Sequence, residues 1–420
     1  MKRYQSYKPS GVEWIGDIPV NWNLLKLKHE YKIQKGRIPK TINEKEEKGS
    51  VPYLSMEVLR GSETLSYVSK EDGVFVKEGQ ILILWDGSNS GEIIKVVNEG
   101  IMSSTMGVLN KVGDKLHEDF SFYQLKSHEP EIRNNTNGMG IPHVDGQYVR
   151  SLVLLTPPIN EQEQIVKFLD EKTSIIDKLI STKERKIELL KEQRISLINE
   201  LITKGLDPNV KMKDSGVEWI GEIPEHWKMK KLKYIFQIRK RISGELGYDV
   251  LSITQKGVKI KDIESGKGQV SMDYTKYQIV EVGDFTMNHM DLLTGFIDIS
   301  PYKGVTSPDY RVFSKTDEKS NSKYYLSLFQ FGYTNKVFYG FGQGSSMFGR
   351  WRLPSIEFNN FKLPYPSLEE QNKIVDFLDK QTKEIDDLVH LEQKKIETLK
   401  EYRQSLISEV ITGKIKVSNE

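Results

Sequence analysis

From residue 160 to 204 the chain has no glycine or proline and is dense in Glu, Lys, Leu and Ile. All of these but Ile are strong helix formers, so the pattern predicts one long helix. Apolar positions recur along it by fours and threes, at Ile176, Ile180, Ile187, Leu190, Leu197 and Leu201, with Lys183 and Arg194 completing a heptad seam. The seam returns as Ile385, Val389, Glu392, Ile396, Leu399, Arg403, Leu406 and Val410, polar at the same two places. Pro157-Pro158 precede the first helix, Asn160 with Glu163 offers a capping box, and Gly205 stands where the helix should stop. Pro366, Ser367 with Glu370, and Gly413 do the same for the second. At about 1.5 Å per residue each helix is a rod of roughly 60 Å. The short connection around Asp207-Pro208-Asn209 favours antiparallel pairing, with globular regions at opposite ends and Lys183 and Glu392 approaching each other near a pseudo-dyad.

The helices belong to a longer repeat, which governs the whole architecture. Ser10-Gly-Val-Glu-Trp-Ile-Gly-Asp-Ile-Pro19, followed by Trp22, returns as Ser215-Gly-Val-Glu-Trp-Ile-Gly-Glu-Ile-Pro224, followed by Trp227. Pro157, Glu161-Gln162 and Ile165 to Asp170 return as Pro366, Glu370-Gln371 and Ile374 to Asp379. Between these matches the halves diverge, apart from Gly79 and Gly91, which take the places of Gly283 and Gly295. Two scaffolds of one kind therefore carry two different inner regions, as expected if those regions meet different ligands. Trp14 and Trp219, inside the matching segments, are expected to dock each globule onto the helices. The repeat also places Ser10 near Gly413, and so the two chain ends near each other.

At 420 residues the chain can bury more than one core, and with 37% hydrophobic and 29% charged residues it has no apolar run of membrane-spanning length. Residues 1–10 show no signal-like apolar stretch, so a cytoplasmic location is expected. Cysteine is absent, and the seven histidines include no pair at helical ligand spacing, so neither disulfides nor a structural metal is expected. A net charge of +2 is a weak nucleic-acid signal, so partners would have to supply part of any positive surface. No Gly-rich loop ends in Gly-Lys-Ser/Thr. Thr156-Pro157-Pro158-Ile159 lacks the leading amide or carboxylate and the trailing ring of an amino-methyltransferase motif. Gly340 to Gly349 has no dinucleotide-fold context and reads as a loop facing DNA. No catalytic constellation or cofactor site is expected in the chain itself.

A variable region, a Pro-x-x-x-Glu-Gln segment at Pro157 to Gln162 leading into a long helix, and a second copy of both at Pro366 to Gln371 resemble the specificity subunit of Type I restriction-modification systems. The resemblance covers essentially the whole chain. It implies an α+β chain of two mixed α/β target recognition domains, separated by two long antiparallel coiled-coil helices, with pseudo-two-fold internal duplication. The boundaries would be 1–156 and 207–365 for the recognition domains, and 157–206 and 366–420 for the helices. It implies double-stranded DNA as ligand, each domain reading one half of a split sequence. It also implies two methyltransferase (modification) subunits and restriction/translocase subunits as partners, which would bring the S-adenosylmethionine, ATP and Mg. A coiled-coil scaffold without DNA specificity is the alternative, and a self-sufficient DNA enzyme is a more distant one.

Base reading uses Arg or Lys for guanine and Asn or Gln for adenine. Lys35, Arg37 and Lys40 follow the first apolar run, and Arg239, Lys240 and Arg241 follow its counterpart. Ser88 and Asn89 occupy the turn Trp85 to Ser90, whose counterpart begins at His289. Asn134, Asn135 and Asn137 lie in a loop upstream of the first helix; Gln343, Ser345, Ser346 and Arg350 hold the matching place in the second half. These are the candidate DNA contacts.

Overall fold

A computed structural model describes residues 2–61, 66–138, 140–262, 273–344 and 351–417. The chain divides into two compact units, Met1–Glu184 with Gln393–Glu420, and Arg185–Glu392. Helices Ile159–Lys204 and Leu368–Ile411 each contribute to both. No described helix is long and apolar enough to cross a membrane.

The first unit is built on a four-stranded antiparallel sheet in the order Tyr31–Lys35, Met106–Lys111, Ile81–Leu84, Ile93–Lys95. The second has the same order in Phe236–Arg239, Arg311–Lys315, Phe285–Met287, Ile297–Ile299. The units part company beside it. The first adds a four-stranded sheet in which Ser50–Leu54 and Gly100–Met102 pair in parallel. The second has two pairs there, Leu251–Thr254 with Gly257–Ile260 and Gln278–Val280 with Gly304–Thr306, joined by a single parallel bridge between Val250 and Val305. A closing strand pair leads into each long helix, Asn23–Lys26 with Val153–Thr156 and Lys228–Lys231 with Lys362–Tyr365.

Every one of the sixteen seam positions is buried or half-buried. Within the second unit the Arg194 Nε lies 3.3 Å from Asp386, while Lys186 donates to the buried Glu392 at 3.0 Å. Advancing along one helix means retreating along the other in this stretch. In the first unit Arg403 donates to Asp177 at 3.3 Å. The two arginine pairs, which stand partly in solvent, contribute about 0–1 kcal/mol each and serve mainly to set register.

The helix starts hold each globule. Glu161 accepts the indole N–H of the fully buried Trp22 at 3.2 Å, and Glu370 accepts that of Trp227 at 3.1 Å. Burying an indole removes roughly 200 Å² from water, worth about 5 kcal/mol at most. The next residue, Gln162, is buried; it accepts from the His117 N–H at 2.7 Å and donates to the Lys115 and Pro157 carbonyls at 2.9 and 2.8 Å. Gln371 repeats this with the Asn321 N–H at 2.7 Å and the Lys319 and Pro366 carbonyls at 3.3 and 3.0 Å. Glycine closes each joint. Gly205 and Gly413 have φ of +77° and +73°, and a Cβ there would stand 3.1 Å from Trp227 and 2.5 Å from Pro19.

One expectation needs correction. The first long helix begins at Ile159, so Asn160 lies inside its first turn rather than at its cap. The box is formed only in the second copy, where Ser367 accepts from the Glu370 N–H and Glu370 from the Ser367 N–H. The indoles that donate to the helix starts belong to Trp22 and Trp227 rather than to Trp14 and Trp219, although Trp219 packs against a cluster that includes Leu201 and Ile374. Trp14 packs on His128, and Trp219 stacks on Phe361 and lies tilted against Phe331. The chain ends do meet, with a bridge between Lys2 and Lys416 and a bond from the Tyr7 hydroxyl to the Gly413 carbonyl.

Replacing Gln162 or Gln371 by Ala leaves one N–H and two carbonyls without their partner, a cost of about 2–4 kcal/mol. Hydrogen exchange is expected to accelerate around residues 115–118 in Gln162→Ala and around 319–322 in Gln371→Ala, each change confined to its own unit. Burial alone would raise the Glu370 carboxyl, but bonds from His226, Trp227 and Ser367 outweigh it and bring the pKa to about 2. Its stabilisation is therefore complete above the unfolded carboxylate value and disappears as pH falls toward 2. Acid unfolding of wild type and Glu370→Gln should differ at pH 6 and converge near pH 2.

Candidate nucleic-acid interface

In the first unit, three segments far apart in sequence converge on Asp86. Its carboxylate takes the Lys35 ammonium at 3.1 Å and the His143 Nδ1 at 2.7 Å. An acceptor on Nδ1 requires a proton there, which leaves Nε2 as the group His143 can offer to a ligand. Lys35 also lies 5.6 Å over the Trp85 ring. Backbone bonds from Gly87 to the Pro142 carbonyl and from Val144 to the Trp85 carbonyl tie the two loops together. Asn137 pairs with His143 across a two-residue ladder. Lys35, Asn137 and His143 are exposed around this point, with Ser88 exposed on the neighbouring turn and Asn89 half-buried beside it. Asn134 ends the helix Glu129–Asn134, and Asn135 caps it, its amide donating to the Glu131 carbonyl at 2.8 Å. Arg37 and Lys40 sit on the exposed segment beyond the strand, held where the Lys40 N–H donates to Asp72 at 2.5 Å.

The second unit presents the same edge with different side chains. Gly107 faces Ile83 and Lys35 in the first sheet, and Arg311 faces Met287 in the second. Extending the Phe236–Arg239 register by one residue puts Lys240 in the place of Lys35. Two residues past Met287 stands His289, in the place of Trp85. Its carbonyl accepts from the Leu353 N–H at 3.0 Å, as that of Trp85 does from Val144 at 2.9 Å. Arg352 therefore takes the place of His143, and Gln343, bridged to Arg352, that of Asn137.

Beneath this edge the two units fill space differently. The Trp85 ring lies over Gly107 and Gly146, where an added Cβ would meet it at 3.0 Å. The equivalent positions are His289, Arg311 and Ser355, so volume has moved from the loop into the strand. Arg311 is buried, donates to the Leu353 carbonyl at 2.8 Å, and lies 4.6 Å over the Phe358 ring. Burial brings its pKa down to about 10, so it keeps its charge at neutral pH. Burial, reinforced by the charges of Arg311 and Arg352, brings His289 down to about 3.

Of the basic residues that the sequence singles out in this half, Arg241 is committed to the buried Asp284 at 2.5 Å and Arg239 to the Ser314 hydroxyl at 2.7 Å. Lys240 is the exposed one. Gln343 is exposed at its bridge, whereas Ser345, Ser346 and Arg350 lie outside the described residues. Sequence reasoning missed Asp86, His143, Arg311 and Arg352. Asp86 and His143 meet across 57 residues of chain and Arg311 reaches the Leu353 carbonyl across 42, and no local motif marks them.

A basic edge presented twice, with amide and imidazole groups beside it, is the equipment of a protein that reads DNA. Residues 19–189 and 224–401 each match the model of the Type I restriction modification DNA specificity domain. The Type I restriction enzyme MjaVIII specificity subunit of Methanocaldococcus jannaschii is 32% identical, over 96% of this chain and 95% of that one. Two solved structures share the fold. One chain, from a study of assembly and conformational transition in a type I R-M system, has a TM-score of 0.66 at 14% identity, covering 94% of this chain and 98% of its own. The other, the HsdS subunit from Thermoanaerobacter tengcongensis, has a TM-score of 0.51 at 13% identity, covering 95% and 98%. The chain belongs to the Type I restriction modification specificity family, and two recognition domains of mixed α/β fold make it up.

Because its pKa lies near 3, His289 is expected to remain neutral from pH 8 to below pH 5. Nitrogen-15 spectra of histidine-labelled protein should show one unchanging imidazole state for it across that range; a midpoint near 6.5 would contradict the buried environment described above.

Proposed function

We propose that this chain supplies the DNA sequence specificity of a Type I restriction-modification complex and performs no catalysis of its own. The match of the specificity-domain model in both halves carries this reading. Each half reads one part of a split target. The recognition domains are assigned to 1–156 and 207–365, and the helical segments to 157–206 and 366–420. The helices act as an antiparallel coiled coil that sets the spacer, a role supported by the opposed order of the Arg194–Asp386 and Lys186–Glu392 pairs. Pseudo-two-fold duplication is supported by the equal strand order of the two antiparallel sheets.

Two modification subunits would supply adenine methylation with S-adenosylmethionine, and restriction/translocase subunits the ATP- and Mg-dependent steps, all in the cytoplasm. Lys35, Arg37, Lys40, Ser88, Asn89, Asn135 and Asn137 are the DNA contacts assigned to the first half. Lys240, His289 and Gln343 are assigned to the second, with Arg239 and Arg241 supporting the strand edge.

Methylome sequencing of cells that express the neighbouring methyltransferase gene, with and without this chain, tests the proposal. N6-methyladenine in one split motif, present only with the chain, is the expected result. An active methyltransferase whose motifs do not depend on the chain would favour a scaffold lacking DNA specificity.

A further inference from the structure

The two reading edges hold one exposed side chain each in a frame of the same construction. In the second unit, Arg352 exchanges two backbone bonds with Gln343, at 2.8 and 3.1 Å. The next residue is held on both sides: the Leu353 N–H donates to the His289 carbonyl, and its own carbonyl accepts from the buried Arg311 at 2.8 Å. The backbone under Arg352 is thus fixed from three separate segments, while its side chain is exposed and its guanidinium has no acidic partner among the described residues. In the first unit His143 occupies this position, paired with Asn137 and oriented by Asp86. A fixed backbone carrying a free hydrogen-bonding head is what base reading requires, because ordering costs are met before the ligand arrives.

We propose that this position, Arg352 in one unit and His143 in the other, is a base-discriminating residue of each recognition domain, and that Arg352 reads a guanine. Its planar fork matches guanine O6 and N7 in the major groove, two acceptors that no other base presents together. His143 offers the single nitrogen Nε2, so it sets one position of the other half-site with a weaker preference. The proposal rests on the split-target reading given above. It adds that specificity is set at a matched place in the two folds.

The test uses the full chain in complex with its modification subunits, with motifs determined by methylome sequencing for wild type, Arg352→Ala, Arg352→Lys and His143→Ala. For Arg352→Ala the expected result is relaxation at one guanine of one half-site, by roughly 5- to 150-fold in preference. The other half-site and the overall methylation level should persist. Arg352→Lys, which keeps the charge and loses the fork, should keep the methylation level and only part of the guanine preference. His143→Ala should relax a position in the opposite half-site. An unchanged motif in Arg352→Ala, a uniform loss across all sequences, or relaxation of the same half-site by both alanine variants would overturn the proposal. A wild-type complex that methylates no split motif would instead remove the reading on which it rests.

Discussion

The joint between each globule and its long helix depends on two adjacent side chains. A carboxylate at the first turn takes an indole N–H, and the amide beside it, sealed from water, closes a loop that would otherwise have unpaired backbone groups. A buried glutamine with all these bonds made is tightly specified, because shifting it by one helical position would leave an N–H and carbonyls without partners. The tryptophan supplies the apolar burial and the glutamine supplies the geometry. Everything displayed on the far edge of the sheet inherits its position from that anchor.

The long-range order of the chain was legible in sequence because it is written locally. Helices without Gly or Pro, a seam of fixed period, and glycines at the helix ends are short-range signals, and the structure keeps all of them. The Glu-Gln pair could be seen as a repeated motif, but which tryptophan it holds could not. Trp14 lies in the better-matched segment, yet Trp22 is the ring that bonds to the helix start. The candidate edge was harder still. Lys35, Asn137 and Gln343 stood out as exposed polar groups in matching places. Arg241 looked equivalent to its neighbours, yet it neutralises a buried aspartate, which only tertiary packing reveals.

The two edges share a backbone plan and differ in how the space beneath it is filled. One half sets an indole over two glycines; the other sets a neutral imidazole beside a buried arginine and a serine. Either set is self-consistent, and mixing them would leave a void or a clash, since dense interiors tolerate neither. Divergence between the halves at these three positions therefore had to proceed as a group, even though the positions are scattered over about 60 residues in each half.

The bridge between Lys2 and Lys416 has a consequence for how the chain comes into being. One unit, Arg185–Glu392, is a single continuous stretch, whereas the other needs Gln393 onward to complete it. Translation runs from the N-terminus, so the globule made first waits, with Pro19 and Trp22 lacking the packing that Gly413 provides, until residues 393–413 have been made. The second-made unit can close before the first. During synthesis the incomplete N-terminal globule exposes apolar surface for longest, which makes it the part of the nascent protein most dependent on chaperones and the first to suffer when translation stops early.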